Sequence, residues 1–107
     1  MEISGTDLMR LLKEHSGTLH IIDCREEEEW QHCRIEGSEL IPLSEFAQET
    51  AGWDCSDKRK KIIYCHHGMR SLQATKFLRN RGFENTFSLT GGIDAWSVQI
   101  NPKIPRY

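Results

Sequence analysis

The stretch that most constrains this chain is residues 61–82, KIIYCHHGMRSLQATKFLRNRG, where the hydrophobic period changes from that of a strand to that of a helix across one tight turn. Ile62, Ile63 and Tyr64 form a β-branched and aromatic run too brief for a helix, the pattern of a strand buried on both faces. From Ser71 the period is 3.6, with Ser71, Ala74, Phe77 and Leu78 on one face and Gln73, Lys76, Arg79 and Asn80 mostly on the other. A helix packed on a sheet is expected. Arg79 and Arg81 suit the negative end of its dipole, and Gly82 supplies the backbone freedom that stops it.

Between strand and helix lie Cys65, His66, His67, Gly68, Met69 and Arg70. In a strand-to-helix turn the backbone amides point inward, and the positive end of the helix lies on the far side. A thiol there ionises easily, since such surroundings bring its pKa from about 8.5 down to roughly 3.5–7.5. Gly68 lets the turn close without a side chain in the cradle. The competing reading of Cys65 is a small buried hydrophobe, and the catalytic reading requires its sulfur to be reachable from solvent. His66 and His67 read equally well as loop side chains facing water or as binding groups, and Met69 as a packing residue or pocket rim.

The rest of the chain surrounds this unit with alternating helices and strands. At 107 residues there is room for one core, so one compact domain over 1–107 is expected. Ser4 or Thr6 caps a first helix running to about His15, with Leu8, Leu11 and Leu12 as its apolar stripe. Residues 18–23 (TLHIID) read as a strand that delivers Asp23, Cys24 and Arg25 to the edge carrying Cys65, where ligands collect in a parallel sheet. An ion pair or capping role for Asp23 and Arg25 is favoured over chemistry. The acidic run Glu26 to Glu29 reads as a solvated helix start. Residues 38–41 form a short strand, Ser44 caps a helix to about Thr50, and Lys58, Arg59, Lys60 and Lys61 solubilise a turn. Residues 85–89 are the last strand, followed by a glycine turn and a helix holding Ile93, Ala95 and a core Trp96. The ending INPKIPRY, with two prolines, wraps the surface. Helix alternating with strand points to an α/β domain with a mostly parallel sheet.

Charge and cysteine usage remove several function classes. A net charge of −2 gives no reason to expect nucleic acid or an anionic membrane as partner. No apolar run is long enough to span a bilayer or to serve for export, so a cytoplasmic chain is expected. In that compartment Cys24, Cys33, Cys55 and Cys65 are expected as free thiols. No metal or other cofactor is expected: adjacent ligands on one turn cannot easily face one ion, which disfavours zinc on His32, Cys33, Cys65, His66 and His67.

The segment CHHGMRS, residues 65–71, resembles the active-site loop of the rhodanese family of sulfurtransferases. Asp23-Cys24-Arg25 is similar to that family's Asp-x-Arg, GSELIPL at 37–43 to its Gly-Ala-x-x-Ile-Pro segment, and TGGIDAW at 90–96 to its Gly-Gly-x-x-x-Trp. Cys33, Arg34 and Glu36 depart from the family's Gly-His-Ile-Pro-Gly. The tail is similar to that of rhodanese modules fused to adenylyltransferases that activate sulfur-carrier proteins.

The resemblance implies a sheet of about five mostly parallel strands flanked by helices on both faces. It implies a sulfurtransferase in which Cys65 carries sulfane sulfur as a persulfide, with His66, His67, Gly68, Met69, Arg70 and Ser71 binding substrate and Asp23 and Arg25 supporting the loop. The implied donors are thiosulfate or a protein persulfide, and the acceptor a sulfur-carrier or thioredoxin-like protein. Cys24 lies on the same edge and could resolve the persulfide to a disulfide, but simple burial is the expectation. Two alternatives stand: a binding-only module, and a cysteine-dependent phosphatase of the same fold. The phosphatase is disfavoured because Arg70 follows Cys65 by five positions rather than six, in a loop too small for a tetrahedral oxyanion.

Overall fold

The computed structural model describes residues 1–107, apart from the side chains of His15 and Ser16. In chain order the elements are β1 (Glu2–Ile3), α1 (Gly5–His15), β2 (Leu19–Asp23), α2 (Glu27–His32), β3 (Glu39–Leu40), α3 (Phe46–Glu49), β4 (Lys60–Tyr64), α4 (Met69–Asn80), β5 (Thr86–Leu89) and α5 (Gly92–Gln99). All five strands are parallel, in the order β1-β5-β4-β2-β3. Every strand therefore ends on one edge, and β4 at the centre places Cys65 in the middle of that edge.

Alternation along the central strands sends neighbouring residues to opposite faces. Ile21, Ile62 and Tyr64 pack with Leu8, Leu89, Ile93 and Trp96, under α1 and α5. Ile22, Cys24, Ile63 and Cys65 pack with Ile41, Phe46, Ala74, Leu78 and Phe83, under α3 and α4. The α/β architecture with helices on both faces is the one the sequence implied.

Several local expectations are corrected. β1 was not anticipated, because two residues carry no period; Ser88 N–H donating to Met1 C=O and Thr90 N–H to Ile3 C=O recruit it. The central helix starts at Met69, not Ser71, behind Gly68 at φ 108°. Phe77 is 36% exposed while Thr75 is fully buried, so the apolar face is rotated toward Ala74, Thr75 and Leu78. Lys60 and Lys61 belong to β4 rather than to a solvated turn. Lys61 is buried over the Trp53 and Phe83 rings, with its ammonium 3.4 Å from Asp57.

The start of α5 locks the loop after β4. Gly91 and Gly92 have φ of 75° and 62°, and a Cβ on Gly92 would lie 2.5 Å from Cys65 O. This close approach lets Ile93 N–H donate to Cys65 O at 2.8 Å and Asp94 N–H to His66 O at 3.1 Å. Gly92→Ala is expected to cost about 3 kcal/mol or more, read by chemical denaturation, because backbone rather than a flexible side chain must give way.

Candidate active site

Cys65 begins the turn between β4 and α4. Its carbonyl is taken by α5, and its sulfur receives N–H groups from the other side. Gly68 N–H donates to Cys65 Sγ at 3.1 Å and Ser71 N–H at 3.3 Å. The Ser71 amide belongs to the first turn of α4, where backbone donors have no partner within the helix. Ser71 Oγ stands 3.5 Å from the sulfur and 2.7 Å from Ser88 Oγ. Ser71 Oγ also donates to Gly68 O at 3.2 Å, so with Ser88 donating to Ser71 the one Ser71 hydroxyl proton is divided between that carbonyl and the sulfur.

The sulfur is far less open than the sequence reading required: Cys65 is 1% exposed. Burial and ionisation oppose each other here, and their balance decides what kind of cysteine this is. Burial alone raises a thiol's pKa. The Cys65 thiol is instead lowered from 9.0 to about 4, chiefly by the neighbouring Cys24 thiol, with burial opposing and the Ser71 hydroxyl, Ser71 N–H and Gly68 N–H adding to the fall. An inert packing cysteine would move the other way. The donors around the sulfur favour the thiolate form of Cys65 despite its burial.

The remaining anticipated residues divide into those that touch the sulfur and those that do not. Gly68 and Ser71 touch it. Met69 is 80% exposed, so it packs against nothing and stands at the rim. Arg70 is committed to Glu29 through a two-pronged ion pair at 2.8 and 3.0 Å. His66 stacks between His67 and Tyr107, each ring centroid 3.8 Å away. Burial, then the adjacent His67, holds His66 below its ordinary 6.5 and therefore neutral at pH 7. His67 reaches outward to Asp94 at 3.9 Å.

His66, His67 and Asp94 bring potential ligand atoms within 4.8 Å of one another. Asp94 is engaged by Arg106 at 2.9 and 3.2 Å, so it is not free to serve an ion. The zinc set weighed from sequence, with His32, Cys33 and Cys65, is not brought together among the described residues.

Asp23 and Arg25 form a fully buried pair whose shortest contact is 2.6 Å. Asp23 Oδ1 also accepts from Arg25 N–H, and Arg25 Nη2 donates to Cys33 O. Burial works against the Arg25 charge, but Asp23 and Tyr107 hold its pKa above the ordinary value. The pair ties β2 to the segment after α2 and makes no contact with the sulfur.

Sequence reasoning missed two residues of this network. Tyr107 O–H donates to Glu29 Oε2 at 2.7 Å and accepts from Arg25 Nη1 at 2.7 Å, so the tail lies against the loop and not merely on the surface. Glu29 is no solvated charge: Arg70, then Tyr107, lower its carboxyl to about 2. Its one sequence signal is the Glu26-x-x-Glu29 spacing, which forms a capping box at α2.

A five-stranded parallel α/β sheet whose central strand ends in a cysteine at a strand-to-helix turn defines the class of domain. The chain belongs to the rhodanese-like domain family, whose model matches residues 5–99. It is 33% identical over 86 residues to a thiosulfate sulfurtransferase, GlpE, of Pseudoalteromonas translucida, covering 80% of each chain. It is 34% identical over 89 residues to a probable adenylyltransferase/sulfurtransferase, MoeZ, of Mycobacterium tuberculosis, covering 83% of this chain but only 23% of that protein. Among solved structures, a rhodanese-related protein of Thermoplasma volcanium superposes with a TM-score of 0.81 at 28% identity, over 99% of this chain and 98% of the other.

Two outcomes follow from this geometry. The ultraviolet absorbance of a thiolate, present in the native protein and missing from Cys65→Ser, is expected to hold from neutral pH down to about 5 and to vanish as pH falls through about 4. A transition near 8 would contradict the arrangement. Arg25→Met is expected to destabilise the fold by about 3–5 kcal/mol in denaturant titrations, because Asp23 is left as an unpaired buried charge.

Proposed function

We propose that this chain is a sulfurtransferase that moves sulfane sulfur through a Cys65 persulfide. The observation that carries the proposal is a cysteine at the strand-to-helix turn whose sulfur receives the Gly68 and Ser71 N–H groups, its thiol lowered first by Cys24 and then by these donors. The thiolate attacks the outer sulfur of a donor; with thiosulfate, the S–S bond breaks and sulfite leaves with the electron pair. The Gly68 and Ser71 amides, placed for one anionic sulfur, then stabilise the charge of the persulfide. A thiophilic acceptor removes the sulfur in a second displacement, so the two substrates need never meet.

Thiosulfate or a protein persulfide is the proposed donor, and a sulfur-carrier or thioredoxin-like protein the acceptor. The proposed setting is the cytoplasm, where four unpaired thiols are stable. With Arg70 bound to Glu29 and His66 neutral, little free positive charge surrounds the sulfur. An uncharged or protein-borne sulfane donor therefore suits the site at least as well as thiosulfate.

Incubation with thiosulfate, or with a cysteine desulfurase and cysteine, is expected to add one sulfur, about 32 Da by intact mass. Cys65→Ser is expected to add none. Hydrolysis of aryl phosphates without sulfur uptake would instead place the chain with the phosphatases of this fold, and inactivity in both assays would mark a binding module.

A further inference from the structure

Cys24 lowers the Cys65 thiol but makes and breaks no bond in the sulfur transfer proposed above. The β2–β4 ladder runs in register to Asp23 opposite Tyr64, and Cys24 N–H then donates to Tyr64 O at 3.0 Å. Cys24 and Cys65 are therefore the next residues along two adjacent parallel strands. Such neighbours have Cα atoms about 4.8 Å apart, inside the roughly 4.4–6.8 Å window of a disulfide. Both side chains point to the same face, in the cluster with Ile22, Ile63, Ala74 and Leu78. Both residues are 1% exposed, and both thiols are free.

We propose that Cys24 is the resolving thiol for the Cys65 persulfide, attacking its inner sulfur to close a Cys24–Cys65 disulfide and expel hydrosulfide. This rests on the sulfurtransferase reading above. The bond that forms joins the Cys24 and Cys65 Sγ atoms; the bond that breaks joins Cys65 Sγ to the outer sulfur. That sulfur leaves with the electron pair and takes the Cys24 proton, so one sulfane sulfur is reduced to sulfide while two thiols are oxidised to a disulfide. An external dithiol of the thioredoxin-like kind then reduces the disulfide and resets the site.

Proximity favours this route. An external acceptor must reach a sulfur that is 1% exposed, whereas Cys24 is already beside it and needs no opening. Attack requires Cys24 to give up the proton that its interaction with Cys65 and burial hold on it, and that proton passes to the departing sulfur. The amides of Gly68 and Ser71 meet Cys65 Sγ, the inner sulfur that Cys24 attacks.

The test loads the full chain with thiosulfate at pH about 9, where thiolate forms with or without the help of Cys24, removes the excess and follows intact mass and free sulfide without added thiol. The loaded species, heavier by about 32 Da, is expected to convert to one lighter than the reduced protein by about 2 Da, with one sulfide released per chain. Peptide mapping of the native chain should find Cys24 joined to Cys65, a readout that needs no variant. In Cys24→Ala the added sulfur should persist, with sulfide release slowed by about tenfold or more.

A native persulfide that stays intact, or a Cys24→Ala persulfide that decays as fast as the native one, would overturn the proposal while leaving sulfur transfer standing. A native chain that shows neither the heavier species nor the disulfide with released sulfide would overturn both, so the two failures are told apart by whether sulfur is taken up.

Discussion

The carbonyl oxygens of Cys65 and His66 are held by the first N–H groups of α5, and the chemistry of the loop depends on that contact. These two bonds fix the backbone of the turn from the α5 side. The sulfur then collects N–H donors from Gly68 and from the open start of α4. Gly92 makes this possible by having no Cβ where the two backbones meet. The sulfur is thus ionised by backbone geometry and by its partner thiol, with no nearby base required.

Around the loop, charge is organised to rigidify rather than to attract. Asp23, Arg25, Tyr107, Glu29 and Arg70 form a continuous chain of hydrogen bonds from β2, through the tail and α2, to the first turn of α4. Each cation in it has an anionic partner. Arg70 consequently stabilises the start of α4 and the position of Ser71 more directly than it recruits an anionic substrate. The neutral His66, stacked on Tyr107, extends the same arrangement on the rim. Paired charges of this kind leave little long-range field at the loop.

The pairing of Cys24 with Cys65 gives the buried edge a second consequence. One thiol is pushed down and its neighbour up, which is how two like groups share a single proton. The same proximity that lowers the Cys65 thiol places a second sulfur within bonding reach of it. Burial at this site excludes solvent without making the cysteine inert.

The sequence by itself determined the class of fold, because strand and helix differ in period and each run here is long enough to read. It also singled out Cys65, since the change of period places that cysteine between a buried strand and a glycine-containing helix start. Short or non-periodic pieces were illegible: β1 exists only through its bonds to β5, and the helical start at Met69 was masked by polar loop residues. Glu29 looked like one of four solvated acids, and Tyr107 like the end of a loose tail. Only the tertiary structure could give them roles, because their partners lie 41 and 82 residues away along the chain. Likewise, sequence placed Cys24 on the correct edge but could not set its register against β4. Ladder register is a property of two strands together, and it alone brought the two sulfurs side by side.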